Sequence, residues 1–575
     1  MKKQILNLII VILFVGCQEN IETKQNSFET ICNPVNLSYR FCLDKPSRRE
    51  AADPTIVAFK DKFYLFASKS GGYWHSDDLI NWIFIETNEI PTEEYAPTVI
   101  VLKDTFFFLA SSNEKSTIYK TVDPLSGKWS VALDSLEIPV WDPAFFLDND
   151  NRLYLYWGCS DKNPIYGVEL NFENNFSFIG EPKELMHANT SEHGWEVPGN
   201  YNRKTDANPW IEGAWVNKHN GKYYLQYSSP GTEFKSYSDG VYTADYPLGP
   251  FSVADHNPFA YKPEGFAAAA GHGSTFKDKY GNYWHIGTTT ISLKHIFERR
   301  LVLYPTFFDE QGMMYASTKF GDYPYIIPNK KIEGFNDIFP GWMLLSYNKQ
   351  VEVSSSIDSF PSSNITDENI RTYWAARSGN ANEYASIDLG KTYDVYSVQI
   401  NFAEHNTEIF GRQDELYHRY IIEYSNDNTN WDLLIDKSQN LTDNSHDYSQ
   451  LAEKVNCRYL RIKNIEIPGG HFALSGFRVF GKGNGDVPTV PKNLEVARNQ
   501  EDRRSVELKW EKSIDAIGYN INFGIEKNKL YHNYIICQDT ILEINSLNTN
   551  QSYYFAIESF NENGFTLKGT IVTTE

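Results

Sequence analysis

The stretch PTIVAFKDKFYLFAS, residues 54–68, decides the fold because it contains a complete β-hairpin. An apolar strand leads into a Lys-Asp turn, and an aromatic strand follows it. The pattern returns four times, at intervals of about 45 to 70 residues, in PTVIVLKDTFFFLASS (97–112), PAFFLDNDNRLYLYWG (143–158), GAWVNKHNGKYYLQYSS (213–229) and GSTFKDKYGNYWHIGTT (273–289). Self-similarity at this period in an all-β region is typical of propeller blades, so the repeats predict a five-bladed β-propeller over residues 30–325.

Two further regions complete the predicted fold class, which is all-β: a propeller followed by two β-sandwiches. Alternating apolar and polar residues over 345–482 predict the first sandwich. Asp367, the TYW at 372–374 and the IDLG at 387–390 resemble the discoidin, or coagulation-factor C-type, domain. The resemblance implies a carbohydrate-binding module, with a rigid spacer as the alternative. It also implies a possible structural calcium ion, whose ligands the sequence does not identify.

The last region, residues 488–575, follows a linker rich in glycine and proline, GNGDVPTVP. Trp510, Tyr519, Leu547 and Tyr553 stand where a fibronectin type III domain places its core residues and its tyrosine corner. The region therefore resembles that domain, and another small β-sandwich is the alternative.

The N-terminus predicts export from the cytosol. Two lysines precede an apolar stretch over residues 5–16 that is too short to cross a bilayer. The stretch ends in LFVGC, which resembles a bacterial lipoprotein cleavage site, with Phe14 where leucine is usual and Cys17 as the lipidated residue. We predict a lipoprotein signal over residues 1–17 and a lipid-anchored protein at the outer membrane or cell surface. A plain secretory signal, giving a periplasmic or secreted protein, is the alternative.

Composition narrows the classes of partner and cofactor. The formal net charge of −21 argues against nucleic acid as a partner. Aromatic residues make up 15% of the chain, enough to build cores and to line sugar-binding surfaces. Of the six cysteines, Cys32 and Cys42 could form a disulfide in an oxidising compartment. No CxxC or HExxH motif indicates a zinc site.

Carboxylates stand at the start of the first strand in three of the repeats. Asp53 precedes the first repeat, Asp142 the third and Glu212 the fourth. Because a propeller gathers the first strands of all blades around one axis, we expect the three carboxylates to converge. Glu212 lies in the apolar run NPWIEGAWV, where its neighbours and the charge of Asp142 should favour a carboxyl group that keeps its proton. Glycoside hydrolysis requires two carboxyl groups in opposite protonation states.

The motifs ADPTIV, WDPAFFLDNDNRLYLYWG, EGAW and GHGS, spaced over the five repeats, resemble glycoside hydrolase family 43. The resemblance implies an inverting glycosidase in which Asp53 is the general base and Glu212 the general acid. Asp142 would tune and orient Glu212. His272 of GHGS would lie near the central channel and bind water or a cation, or else it is a satisfied core histidine. Ala214 stands where many members have proline, which indicates a less familiar subfamily.

Aromatic and polar residues near these motifs are candidates for substrate binding. Trp74 and Trp141 could stack against a sugar ring, and Arg299 could bond sugar hydroxyls or a carboxylate. Glu196 lies in the long insertion between the third and fourth repeats. It could contact substrate from the pocket wall, or serve as a salt-bridge partner within its loop.

The sequence therefore predicts an exo-acting glycosidase that releases terminal β-D-xylose or α-L-arabinofuranose from a plant or algal polysaccharide and requires no cofactor for the chemistry. A galactan-trimming enzyme of the same family is the first alternative. A non-catalytic glycan-binding lipoprotein would be expected to have lost one of the three carboxylates, and none is missing. An adhesion protein would account for the two sandwiches but would leave the carboxylates unexplained.

Overall fold

The computed structural model describes residues 28–574, which are built almost entirely of β-strands. Helical structure in this part is limited to short turns at Gly194–Glu196, Phe335–Ile338 and Ser362–Ile365. None of the helices described is long and apolar enough to cross a bilayer. The predicted lipoprotein signal and Cys17 lie outside the described residues.

Five antiparallel four-stranded sheets form the propeller within the described chain, and each is laid down from its innermost to its outermost strand in sequence order. The strands are Ala52–Phe59, Lys62–Ser68, Gly72–Ser76 and Ile83–Glu86 in blade 1; Thr98–Leu102, Thr105–Leu109, Ile118–Thr121 and Ser130–Leu133 in blade 2; Ala144–Leu147, Leu153–Trp157, Ile165–Asn171 and Ser177–Met186 in blade 3; Glu212–His219, Lys222–Ser229, Ser238–Ala244 and Ser252–Val253 in blade 4; and Gly271–Lys277, Tyr283–Thr290, Arg299–Phe308 and Met314–Ala316 in blade 5.

The blades close into a ring. The innermost strand of each blade contacts that of the next, and the innermost strand of the fifth contacts that of the first. The predicted five-bladed propeller is thus confirmed. The aromatic second strands explain the packing, because their rings fill the space between neighbouring sheets: Tyr64 and Phe66 of blade 1 pack against Val99, Phe106 and Phe108 of blade 2.

The segment before the first blade is hydrogen-bonded to the last blade and to the chain that follows it. Thr30–Ile31 pairs with Tyr325–Ile326. The Asn33 side-chain amide donates to the carbonyl oxygens of Leu303 at 3.0 Å and Gly321 at 2.7 Å. A second short pair joins Arg40–Phe41 to Arg49–Glu50, immediately before the first blade. This pair leads the chain to the mouth of the central cavity.

A middle sandwich and a C-terminal sandwich follow the propeller. The strands of the middle sandwich are Met343–Leu344, Gln350–Val353, Trp374–Ala375, Tyr384–Phe402, Arg419–Ser425, Asp432–Asp436, His446–Glu466 and Ala473–Lys482. Two sheets form the C-terminal sandwich, one of Glu495–Arg498, Val506–Lys509 and Ile541–Ile544, the other of Gly518–Gly524, His532–Cys537, Tyr554–Asn561, Gly564–Phe565 and Val572–Thr573. Trp510, Tyr519, Leu547 and Tyr553 all lie in the core of the C-terminal sandwich. The predicted order of one propeller and two sandwiches is confirmed.

The middle sandwich is docked on the propeller through buried charges. The Arg49 guanidinium is bonded to Glu404 at 2.6 Å and to both oxygens of Asp443 at 2.7 Å. Arg478 of the sandwich donates to the carbonyl oxygen of Asp322 at 2.7 Å. Because Arg49 and Arg478 are buried and bonded directly across the junction, the two domains meet in a specific geometry.

The suggested disulfide between Cys32 and Cys42 is wrong for this structure, in which both thiols are free and buried. The Cys32 thiol donates to the carbonyl oxygen of Asp322 at 3.3 Å, and the Cys42 thiol donates to Glu50 at 3.5 Å. The two cysteines therefore serve different contacts, the first at the domain junction and the second beside the propeller mouth.

Candidate active site

A residue with left-handed backbone stands at the entry to the innermost strand of every blade. These residues are Asp53, Ala96, Asp142, Gly213 and His272, with φ values of 52°, 48°, 48°, 63° and 41°. In blades 1, 4 and 5 the register of the first strand pair also shifts here, as in a β-bulge. A left-handed residue breaks the alternation of a strand, so it can aim side chains at the central axis.

These entries surround one cavity of about 520 Å³. It brings together Asp53, Asp142, Glu212, His272, Arg299 and Trp141, all of them predicted from the sequence. Its remaining walls are Tyr95, Cys159, Trp210, Gly231, Thr232, Glu233, Ile296 and Phe297. Trp141 and Trp210 are 37% and 46% exposed, so they offer free ring surface at the mouth.

Asp53 is held as a carboxylate. Ser68 donates to its Oδ2 at 2.6 Å, and Arg299 Nη1 donates to its Oδ1 at 3.0 Å. Arg299 is itself fixed by Glu50, whose Oε1 accepts from Nη2 at 2.7 Å. Burial alone would raise the pKa of Asp53, but the charges of Arg299 and then His272 outweigh it and lower the pKa below its usual value. Asp53 is therefore ionised near neutral pH, the form that a general base needs.

Glu212 is held by two uncharged donors. The Tyr237 hydroxyl donates to its Oε1, and the Cys159 thiol donates to its Oε2 at 3.3 Å. Burial, with the nearby Asp142 and Glu212 carboxylates, raises the pKa of the Cys159 thiol far above its usual value. Burial also raises the pKa of Tyr237. Both groups thus keep their protons and orient the carboxyl group without neutralising it.

Asp142 lies beside Glu212 and retains a proton more readily than an ordinary aspartate. Burial raises its pKa to about 7, with further contributions from the negative charges of Glu212 and Asp53. Ser111 donates to its Oδ1 at 3.2 Å, and the Gly213 N–H donates to its Oδ2 at 3.4 Å. Asp142 can therefore hold a proton in a cavity where Asp53 has none.

His272 joins the carboxylates across the floor of the cavity. Its Nδ1 lies 3.3 Å from Asp53 Oδ1 and 3.7 Å from Asp142 Oδ2. Burial would lower its pKa, but the surrounding carboxylates, Asp53 first, raise the pKa above its usual value. Beneath it, Ser228 accepts from the His272 N–H at 2.6 Å and donates to Asp239. His272 is therefore a polar member of the site rather than a core histidine.

Comparison with protein families agrees with this geometry. Residues 46–314, which include the whole cavity, match the family described as glycosyl hydrolases family 43. Residues 46–314 form a family 43 glycosyl hydrolase domain. Residues 350–475 match the F5/8 type C domain, the coagulation-factor type to which the middle sandwich was compared on sequence. The resemblances to glycoside hydrolase family 43 and to the coagulation-factor C-type domain are thus confirmed.

Two curated proteins are similar to part of the chain. A beta-xylosidase from Xylanibacter ruminicola is 26% identical over 156 residues, which cover 23% of this chain and 41% of the relative. A beta-D-galactofuranosidase from Aspergillus niger is 29% identical over 143 residues, which cover 25% of this chain and 35% of the relative. The chain thus spans well under half the length of either relative.

Solved structures resemble the chain at low identity. A structure titled "Glycoside hydrolase" covers 76% of this chain and 99% of its own, with 18% identity and a TM-score of 0.45. A mutant of the family 43 protein BlXynB from Bacillus licheniformis covers 91% of this chain and 98% of its own, with 15% identity and a TM-score of 0.42.

Two predicted substrate-binding residues lie away from the family 43 cavity. Trp74 is in the third strand of blade 1, where its ring is fully buried in the blade core and its Nε1 donates to Ser38 Oγ at 3.4 Å. Glu196 is also fully buried, accepting from the Asn189 N–H at 2.5 Å and from the Tyr227 hydroxyl. Neither can reach a sugar, so their assignment to substrate binding is wrong.

The insertion that carries Glu196 packs outward rather than forming the pocket wall. The Gly194 N–H donates to the carbonyl of Leu547 at 3.0 Å, and the Thr549 N–H donates to the carbonyl of Glu192 at 2.8 Å. Only its end reaches the family 43 cavity, through Trp210. The insertion therefore anchors the C-terminal sandwich.

Three residues that were not predicted from the sequence hold the catalytic candidates in place: Cys159, Tyr237 and Glu50. A signal for two of them exists. Cys159 follows the second strand of blade 3, and Tyr237 precedes the third strand of blade 4, at the same end of the propeller as the three carboxylates. Their contacts with Glu212 cross between strands, and spacing along one strand does not reveal them.

Among the described residues, side chains that could together hold a metal ion cluster at one place. Only Asp142, Cys159 and Glu212 bring three ligand atoms within 4.8 Å of one another. A metal binds the thiolate, and the raised pKa of Cys159 disfavours that form. In the F5/8 type C domain, the two oxygens of Asp367 already accept from the Asn369 N–H and the Thr372 hydroxyl. The Asp367 carboxylate is thus held by residues of its own loop.

Proposed function

We propose that the protein is an exo-acting, inverting glycosidase that releases terminal β-D-xylose or α-L-arabinofuranose from a polysaccharide or its oligosaccharides. One observation carries the proposal. Asp53, Asp142 and Glu212 line a single cavity in which Arg299 and His272 keep Asp53 ionised while Asp142 tends to stay protonated. Two carboxyl sites in opposite protonation states are what this hydrolysis needs.

In the proposed mechanism, Glu212 donates a proton to the leaving glycosidic oxygen, and Asp53 takes a proton from the attacking water. Water adds to the anomeric carbon as the bond to the leaving oxygen breaks, so the anomeric configuration inverts. Tyr237 and Cys159 orient Glu212. Inversion predicts that the carboxyl groups of Asp53 and Glu212 lie roughly 6.5–9.5 Å apart.

Exo action is supported by the shape of the site. The cavity of about 520 Å³ has Tyr95, Ile296 and Phe297 as apolar walls and the two exposed tryptophans at its mouth. A pocket of this size and composition encloses a small ligand rather than the middle of a long chain. We therefore place the terminal sugar against the carboxylates and the next sugar at the tryptophans.

The choice of pentose rests on the resemblance noted in the sequence and on the beta-xylosidase among the relatives. Release of galactose is the second candidate activity, because one relative is a beta-D-galactofuranosidase. We also propose that the F5/8 type C domain binds glycan, that residues 488–575 are a fibronectin type III-like domain, and that lipidated Cys17 anchors the protein at the bacterial outer membrane.

Hydrolysis of nitrophenyl glycosides tests the function. The panel comprises the β-D-xyloside, the α-L-arabinofuranoside, the β-D-galactopyranoside and the β-D-galactofuranoside. We expect turnover of one pentoside by the wild type and a loss of at least 100-fold in kcat for Glu212→Gln and Asp53→Asn, in line with removal of a general acid or base. The exposed surface residue Glu173 supplies a matched control, Glu173→Gln, which should behave as wild type.

The stereochemistry is read by proton NMR of the sugar first released, which should have the inverted configuration. Retained configuration would rule out the inverting mechanism. Absence of turnover on every nitrophenyl glycoside and on xylo- and arabino-oligosaccharides would instead favour the non-catalytic binding protein.

A further inference from the structure

A second cavity, of about 400 Å³, lies where the family 43 domain meets the F5/8 type C domain. A single loop, residues 291–298, separates it from the catalytic cavity. Ile296 and Phe297 of this loop line the catalytic cavity, whereas Leu293 and Lys294 line the second one. A glycan chain leaving the catalytic cavity over this loop would therefore reach the second cavity, which we call the junction cavity.

The charged residues that line the junction cavity are three cations, Lys294, Arg300 and Arg371, and two carboxylates, Glu298 and Glu404. Lys294 Nζ donates to the backbone carbonyls of Glu404 and Ser47. Arg371 donates to the backbone carbonyls of Thr290 at 3.5 Å and Glu233 at 3.3 Å. No carboxylate of a described residue lies within 4.0 Å of the Lys294 ammonium or the Arg371 guanidinium. Neither cation thus forms a direct ion pair with a described residue, and the charges of Glu404 and Glu264 act on Lys294 and Arg371 only from a longer distance.

The carboxylates that line the junction cavity are already engaged. Glu298 Oε2 accepts from the N–H groups of Leu293 and Lys294, at 3.1 and 2.8 Å. Glu404 is bonded to Arg49 at 2.6 Å and lies 4.0 Å from Arg300. Burial lowers the pKa of Arg371, which reflects the free-energy cost of burying its charge. An added negative group would relieve that cost.

Aromatic rings complete the wall on the F5/8 type C side. Phe360 and Tyr373 are stacked with centroids 4.5 Å apart and planes 18° apart, and both are only partly buried. The Tyr373 hydroxyl is bonded to His405 Nδ1 at 3.1 Å, which fixes the pair. A surface that combines an apolar face with a few polar groups suits a sugar ring, whose own faces are apolar and whose edges are polar.

We propose that the junction cavity binds a negatively charged substituent, a carboxylate or a sulfate ester, on the glycan chain whose end occupies the catalytic cavity. Lys294 and Arg371 would bind the charged group, and Phe360 and Tyr373 the sugar that bears it. The inference rests on the proposed glycosidase function. It assigns the F5/8 type C domain a part in substrate selection, beyond attachment to a polymer.

Binding is measured by calorimetry on full-length Glu212→Gln, which keeps the ligand intact. The probes are a neutral xylo-oligosaccharide, the same oligosaccharide with one glucuronic acid branch, and a sulfated galacto-oligosaccharide. We expect an acidic probe to bind with a Kd about tenfold lower than the neutral one, the effect of one charge-assisted contact. Which acidic probe is preferred distinguishes a carboxylate from a sulfate ester.

The added Lys294→Gln substitution should remove most of this preference while leaving the Kd for the neutral probe within about twofold. The control is Arg377→Gln, which removes an exposed arginine of the same domain that donates to the Ser356 carbonyl. Equal affinity for all three probes, or binding of none, would overturn the proposal, as would a preference that survives Lys294→Gln or is lost equally with Arg377→Gln.

Kinetic measurements on two kinds of substrate distinguish a failure of this inference from a failure of the proposed function. With the catalytic residues intact, Lys294→Gln should hydrolyse nitrophenyl pentosides at the wild-type rate and lose about tenfold in kcat/KM only on the acidic oligosaccharide. If the nitrophenyl substrates are turned over without any preference for acidic chains, the glycosidase stands and the junction cavity proposal fails.

Discussion

At the residue scale, the active site depends on backbone positions that ordinary residues avoid. Gly213 follows Glu212 with a φ of 63°, and a Cβ there would lie 2.8 Å from Ser228 Oγ and 2.9 Å from His272 Cδ2. Asp53 and Asp142 hold comparable conformations, which aspartate tolerates better than most residues do. The chain accepts this strain where it aims the carboxyl groups at the cavity.

Gly213→Ala should therefore reduce kcat at least tenfold, because the added methyl group displaces His272 and shifts Glu212. The variant should also lose about 2 kcal/mol of unfolding free energy from strain and crowding. Kinetics and urea unfolding measure the two effects. Gly221→Ala is the matched control, since Gly221 has a φ of 83° in a turn where a Cβ meets nothing within 4 Å. It should lose stability but keep wild-type kcat, and a fully active Gly213→Ala would contradict this account.

At the scale of elements, the catalytic cavity is a property of strand entries rather than of any one strand. The entries of blades 1, 3, 4 and 5 supply Asp53, Asp142, Glu212 and His272, whereas blade 2 supplies Ala96, which carries no polar group. Convergence brings like charges together in a buried place. The raised pKa of Asp142 follows from that arrangement, since burial and the neighbouring carboxylates act in the same direction.

The pH dependence of activity tests this coupling. With its pKa raised to about 7, Asp142 should lose its proton as the pH rises through about 7, and kcat/KM should fall there because a new negative charge then lies beside the catalytic groups. Asp142→Asn removes the group that titrates there, so the alkaline limb should no longer lie at about pH 7. Profiles on a nitrophenyl pentoside measure it. An unmoved alkaline limb would show that Asp142 does not influence the catalytic proton.

At the scale of the whole molecule, the family 43 domain is held by both sandwiches. Arg49, which is fully buried, reaches from the edge of the propeller to Glu404 and Asp443 of the F5/8 type C domain. The insertion before blade 4 and the stacked pair Tyr315 and Tyr531, with centroids 3.7 Å apart, fasten the C-terminal sandwich. The arrangement predicts that the domains unfold together.

Arg49→Ala should uncouple them. The substitution leaves Glu404 and Asp443 buried without their main partner, at a cost of about 3–5 kcal/mol. We expect calorimetry to show the single wild-type transition split in two. Lys454→Ala, which removes an exposed ion pair with Asp394 in the same sandwich, should leave one transition. A single unshifted transition for Arg49→Ala would mean that this contact does not couple the domains.

Local patterns in the sequence determined the blades, the two sandwiches and the positions of the three carboxylates. A hairpin is formed by residues that are close together along the chain, so its pattern can be recognised in the sequence. The same position in each repeat also lies at the same distance from the propeller axis. Asp53, Asp142 and Glu212 could be found in this way because each immediately precedes or opens an innermost strand.

Only the tertiary structure decided what surrounds those carboxylates. Trp74 is a residue type that often stacks against sugar rings. It lies on the third strand of its blade, however, where the neighbouring strands cover it. Cys159 reaches Glu212 because Ser160 and Ile211 form a β-bridge between blades 3 and 4. The junction cavity likewise combines Lys294 with Arg371 from another domain. Burial and charge at these places depend on residues distant in the chain, and hydrophobic periodicity carries no information about them.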